Sequence, residues 1–169
     1  MAHWLVRLLK HRRLDEADAT RLLGAGALQR IEARVAASEQ RHSGEIRVCV
    51  EAGLPLSYIR REARVRERAV MMFGKLRVWD TEHNNGVLIY LLLAEHAIEI
   101  VADRGLAKHV DAARWAQIAG AMSAAFKAGQ FETGLNQAID AVDALLAQHF
   151  ALQPGEANPN ELPDAPYLR

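Results

Sequence analysis

Asp80, Glu82, Asn84, Asn85 and Asp103 are the residues of this chain whose types and spacing best suit chemistry. They bracket two apolar runs, GVLIYLLL (86–93) and AIEIVA (97–102), while Glu45 heads a third, EIRVCVE (45–51). Carboxylates and amide oxygens are hard donors, which match Ca2+ or Mg2+ rather than a thiolate-seeking metal. His83 could join them, but no second His or Cys stands nearby at zinc spacing. The same residue types also end strands. Asn85-Gly86 is a turn dipeptide, and Asp103-Arg104-Gly105 reads as an Asx turn with Gly105 at positive φ. Metal binding, plain turn chemistry and another ligand all stay open on these residues.

Whether the acids can meet depends on the elements that hold them. In residues 45–51 Ile46, Val48 and Val50 alternate with other residues, the period of a strand. Residues 86–93 are almost wholly apolar, as expected of a central strand buried on both faces. The spacing of Tyr58, Val65, Ala69, Met72, Phe73, Leu76 and Trp79 predicts one helix from Ser57 to Trp79 between these strands, which suits a right-handed parallel crossover. The Ala94-Glu95-His96 link is too short for anything but an antiparallel hairpin into residues 97–102. Glu45, the 80–85 loop and Asp103 then share one edge of the sheet. Pairing Leu93 with Ala97 sets Asp103 opposite Val87. Against a site stands the preference of ligands for the carboxyl ends of parallel strands, the opposite edge.

The remaining elements are helical. Leu28, Ile31 and Val35 form a stripe within 25–41, which His42-Ser43-Gly44 ends. Trp115, Ile118, Met122 and Phe126 form another, with Asp111 as N-cap and Gly129 as terminator. Leu135, Ile139, Val142, Leu146 and Phe150 form the last. Strand, helix, hairpin and two helices define a small α/β or α+β layer with helices on both faces. Residues 1–24 form an amphipathic segment, 25–150 the domain, and the proline-rich 151–169 a tail along the surface or loose.

Lys+Arg equals Asp+Glu at 21 each in 169 residues, so no basic excess favours nucleic acid. Cys49 is the sole cysteine, which excludes an intrachain disulfide and, within a strand, reads as packing. No apolar stretch has the length of a membrane span or of a signal peptide, so a cytoplasmic location is expected, with peripheral membrane association open. Residues 1–13 and the flank Arg61, Arg64, Arg68 and Lys75 are the candidate protein-partner surfaces. No nucleophile elbow, P-loop or dinucleotide fingerprint occurs.

HSGEIRVCVE, WDTEHNNGVLIYLLLAEHAIEIVADRGL and FKAGQFETGLNQAIDAVDALLAQHF resemble, in that order, the TPM domain family, and NELPD (160–164) resembles its short bacterial branch. The resemblance implies an α/β fold, a three-layer α/β/α sandwich with a small mixed central sheet. It also implies Ca2+ or Mg2+ binding at Asp80, Glu82, Asn85 and Asp103, with Glu45 adjacent. Asn84, Gly86 and Gly105 would then be turn residues. Two functions follow as expectations. One is a divalent-cation-binding interaction or assembly module without efficient catalysis. The other is a weak metal-assisted phosphatase, with Arg47 and Arg104 as possible anion contacts. The turn Ala-Asp-Arg-Gly departs from the family's frequent Gly-Tyr-Gly, so the ligand set need not transfer intact.

Overall fold

The computed structural model describes residues 2–169, with the side chains of residues 2–4 outside the description. Four strands form one mixed sheet in the order β3-β2-β1-β4. These are β1 (Ile46–Glu51), β2 (Val87–Leu92), β3 (Ala97–Ala102) and β4 (Tyr167–Leu168). The first two are parallel, with Ile46 beside Val87, and β2 and β3 are antiparallel. Side-chain alternation sorts each strand between two cores. Ile46, Val48 and Val50 join Val87, Ile89, Leu91 and Ile100 on one face, under α2 (Glu16–Leu23), α3 (Ala27–Ser38), α7 (Ala112–Lys127) and α8 (Phe131–His149). Cys49, Leu88, Tyr90, Leu92 and Val101 line the other, against α1 (Ala2–Arg12), α4 (Leu56–Arg60) and α5 (Val65–Lys75). This is the expected three-layer α/β/α sandwich.

The expected stops hold: Asp111 accepts from the Arg114 amide at the start of α7, and Gly129 follows its end at φ +73. Four local expectations need correction. The single helix over 57–79 is two, α4 and α5, because Glu62 turns left-handed at φ +53 and Glu67 caps the Arg64 amide at 3.0 Å to restart the chain. A second left-handed residue, Arg77, ends the run, so Trp79 is exposed instead of buried. In the hairpin, Leu93 leaves the ladder for a 3-10 turn (Leu93–Glu95) closed by left-handed His96. The register therefore shifts by one: Leu92 faces Ala97, Val87 faces Ala102, and the Asp103 amide bonds Gly86 O at 2.8 Å. Gly105 does not have positive φ. It lies in the short helix α6 (Arg104–Ala107), where a Cβ would strike His83 O and Asn84 O, so close approach explains the glycine. Left-handed Asn84, at φ +52, makes the turn instead.

The tail is not loose. Residues 151–169 return along β1, and Cys49 and Val50 pair in parallel with Tyr167 and Leu168. Two paired residues carry no legible periodicity, which hid this edge strand in the sequence.

Candidate functional site

The amino edge of the sheet does gather Glu45, the 80–85 loop and Asp103, but the strap formed by residues 151–169 bonds Glu45 and the Glu82 amide there, whereas Asp103 bonds Gly86 and Arg104. Glu45, fully buried, accepts the Glu161 and Leu162 amides through its two carboxylate oxygens, both at 3.1 Å. Burial raises its pKa, and those two amides act in the opposite direction. Arg47 is also buried, and its guanidinium donates to the carbonyls of Pro163, at 2.5 Å, and Ala165. The expected anion contact is thus bound to the strap, because a buried guanidinium needs acceptors and the strap backbone supplies them. Arg104 is exposed.

The loop acids separate. Asp80 is exposed and pairs with Arg77 one turn earlier. Glu82 is exposed, and its amide donates to Glu161 Oε1 at 3.0 Å. Asn85 is fully buried, with its amide on Thr81 Oγ1 at 3.1 Å and Nδ2 on Ser43 Oγ at 3.3 Å. Asp103 caps α6 through Oδ1, which accepts the Arg104 amide at 2.7 Å. Asn85 Oδ1 and Asp103 Oδ2 are both buried without a donor. Strand alternation sends these two side chains toward opposite faces, Asn85 with Val87 and Asp103 with Val101. Among the described residues no group of three or more His, Cys, Asp or Glu is disposed to hold a metal ion.

What the edge acids meet is the strap. Glu82, His83 and Ser43 line a cavity of ≈ 270 Å³ with Glu156 and Glu161. An adjoining open groove of ≈ 420 Å³ shares Glu156 and is lined by Glu39, Asn158, Asn160 and Asp164. Glu39 is 4% exposed. Its Oε1 accepts the Ile46 amide at 2.8 Å, and its Oε2 has no partner. Burial, then the charge of Glu45, push its pKa up to about 9. Asp164 lies against it and accepts Asn160 Nδ2 at 3.1 Å.

Sequence reasoning missed Glu39, although a signal existed: it stands four residues after Val35, on the apolar stripe of α3. The basic flank hid a second group. Arg68 is 2% exposed rather than solvated, since it lies three residues after Val65 and four before Met72 on the inward stripe of α5. Its Nε donates to Glu51 Oε2 at 2.7 Å, and Tyr90 Oη donates to the same oxygen at 2.6 Å. Glu51 is fully buried at the carboxyl edge. Arg61, also of that flank, pairs with Glu67, whereas Arg64 and Lys75 are exposed. At the same edge α1 is fixed by Arg7 and His11, both on Glu95 Oε1 at 2.7 and 2.9 Å. Its other side exposes Leu5, Val6 and Leu9. Cys49 is packed, as expected, and burial raises its thiol pKa to about 12.

The layers, the mixed sheet and the edge loop define an α/β/α sandwich of a small single-sheet class. A family model described as the TPM domain matches residues 17–145, and the chain belongs to the TPM domain family. The fold is similar to the NMR structure of the BA42 protein from the psychrophilic bacterium Bizionia argentinensis. That similarity has 28% identity and a TM-score of 0.74, over 86% of this chain and 94% of that one. The N-terminal domain of a P. gingivalis protein is similar in fold, at 19% identity and TM-score 0.63, over 79% of this chain and 83% of that one. None of the curated proteins matches the chain. Among the described residues, no helix is long and apolar enough to cross a membrane.

Proposed function

We propose that this TPM domain is an interaction or assembly module that binds a divalent cation without efficient catalysis. The observation that carries the reading is the strap itself. Its amides take both oxygens of Glu45 and its carbonyls take the Arg47 guanidinium, the general base and the phosphate clamp that hydrolysis would use. The cation rests on the resemblance to the TPM family and on isolated oxygens only: Asn85 Oδ1 and Asp103 Oδ2 each lack a protein donor, but they lie on opposite faces, so each would need further ligands from outside the pair. Calorimetric titration with each ion, alongside thermal shift, tests it; an absence of both heat and stabilisation sinks the cation. Phosphatase turnover with and without chelator, in wild type and Asp103→Ala, tests the catalytic alternative. The module reading expects no chelator-sensitive turnover. Metal-dependent turnover that disappears in Asp103→Ala overturns it in favour of metal-assisted phosphoester hydrolysis.

A further inference from the structure

A surface helix ordinarily buries its apolar face and shows water its polar one. Helix α1 is docked the other way round. Arg7 donates through Nε to Glu95 Oε1 at 2.7 Å and through Nη2 to the Ala63 carbonyl at 2.9 Å. His11, buried, bonds the same carboxylate and accepts the Leu54 amide through Nδ1 at 2.9 Å. Leu8 packs inward, against the core that holds Leu54 and Ile59. Leu5, Val6 and Leu9 are 47%, 64% and 57% exposed, three of the seven large apolar side chains so exposed among the described residues. The polar bonds of Arg7 and His11 fix the helix in that orientation, so its apolar face is held outward.

Charge says what that face meets. At about 100° per residue, Leu5, Leu9 and Val6 share an arc of roughly 100°, with Lys10 about 40° past one end and Arg12 about 20° past the other. Both cations are exposed, as is Arg13 just beyond the helix. No Asp or Glu occurs among residues 1–14, in a chain whose charges otherwise balance, and Asp15, the first acid, is engaged as the cap of α2. Helix α4, which packs beside α1, adds exposed Leu56 and Arg60, with no acid between Glu51 and Glu62. A second copy of the chain would set these cations against their own kind. An anionic lipid surface takes both parts, the apolar centre at the acyl boundary and the flanking cations at the phosphates.

We infer that α1 is an in-plane anchor for an anionic bilayer surface, with Leu5, Val6 and Leu9 entering the headgroup boundary and Lys10, Arg12 and Arg13 meeting lipid phosphates. Its 11 residues are too few to span a bilayer, which takes about 20. The inference goes beyond the module reading, since it gives the module a surface on which to assemble, and it needs no divalent cation.

The test is cosedimentation of the full chain with vesicles of phosphatidylcholine alone and of phosphatidylcholine mixed equally with phosphatidylglycerol, all in chelator. Reversible binding to the mixed vesicles is expected, much weaker on the neutral ones and falling as salt rises. Replacing Lys10→Gln and Arg12→Gln together is expected to weaken it about 25-fold, at about fivefold for each cation near the surface. Leu9→Ser is expected to weaken it about tenfold, the loss of one inserted aliphatic side chain. These positions are exposed, so the variants are expected to keep the wild-type Tm. Trp79→Ser, 51% exposed at the opposite edge of the sheet, leaves binding unchanged. Absence of binding to the mixed vesicles, equal binding to neutral ones, or undiminished affinity in both α1 variants overturns the proposal. So does self-association lost in Leu9→Ser without vesicle binding, which gives the face to a second copy. Heat on Ca2+ or Mg2+ titration bears only on the module's cation, so the two readings fail separately.

Discussion

Glu51 has no solvent contact and is held mainly by Arg68 and Tyr90, with the half-exposed Arg169 guanidinium farther off at 3.7 Å, so its charge depends chiefly on those two partners. Removing one partner of a buried pair leaves the other charge stranded and costs about 3–5 kcal/mol. Arg68→Ala is therefore expected to destabilise by that order in urea unfolding, and Tyr90→Phe by about 1.5–3 kcal/mol, the worth of a hydrogen bond to a charged group. Replacing Glu51 and Arg68 together by Met is expected to cost less than Arg68→Ala alone, since no lone charge is left. If the double variant is the less stable, the pair is stabilising in its own right. Arg68 shows where residue-level reading failed. Its spacing from Val65 and Met72 puts it on the inward stripe of α5, beneath a strand whose closing glutamate needed a partner, while the break at Glu62 sets Arg61 apart from that helix. Reading the arginines as one flank overrode the apolar spacing.

At the scale of elements, two devices position the edge. The 80–85 loop passes close over the start of α6, and Gly105 is the contact point: an added Cβ would sit 2.5 Å from His83 O and nearer still to Asn84 O. Backbone carbonyls cannot rotate aside as side-chain ends do, so Gly105→Ala is expected to cost about 1–3 kcal/mol, the usual penalty of overpacking. Thermal unfolding measures it; a Tm unchanged from wild type would show that the loop yields freely. The strap is the second device. Deleting residues 160–169 removes the donors of Glu45 and the acceptors of Arg47 together, and bares the β1 edge. The truncated chain is expected to lose at least several °C in Tm and to expose the Ile46–Glu51 amides to faster hydrogen exchange. Strands β1 to β3 were legible because alternation and apolar runs report burial directly. The strap was not, because prolines and isolated polar residues obey no period and its bonds run through backbone groups.

Across the whole molecule, burial has fixed two titratable groups in opposite senses near one edge. Glu39 has its pKa raised by burial to about 9 from a model-peptide 4.5, so the folded state holds a proton that the unfolded chain releases. Its contribution is therefore full below about pH 4.5 and is lost progressively as pH rises toward 9. His42, fully buried, has its pKa lowered by burial to about 4 from 6.5, so the unfolded chain takes up a proton that the folded one refuses. Its contribution is full above about pH 6.5 and is lost as pH falls toward 4. Between pH 4.5 and 6.5 the two slopes oppose each other, whereas above pH 6.5 only the acid side still changes. Glu45, raised by burial as well, adds to that same direction. Stability is thus expected to decline from about pH 6.5 to 9, an interval in which ordinary carboxylates and Lys do not titrate. Glu39→Gln removes the proton exchange while keeping an oxygen for the Ile46 amide, so chemical denaturation of this variant should give a flatter profile over that interval. An equally steep decline in Glu39→Gln would assign it to another group and return Glu39 to the ordinary carboxylate range.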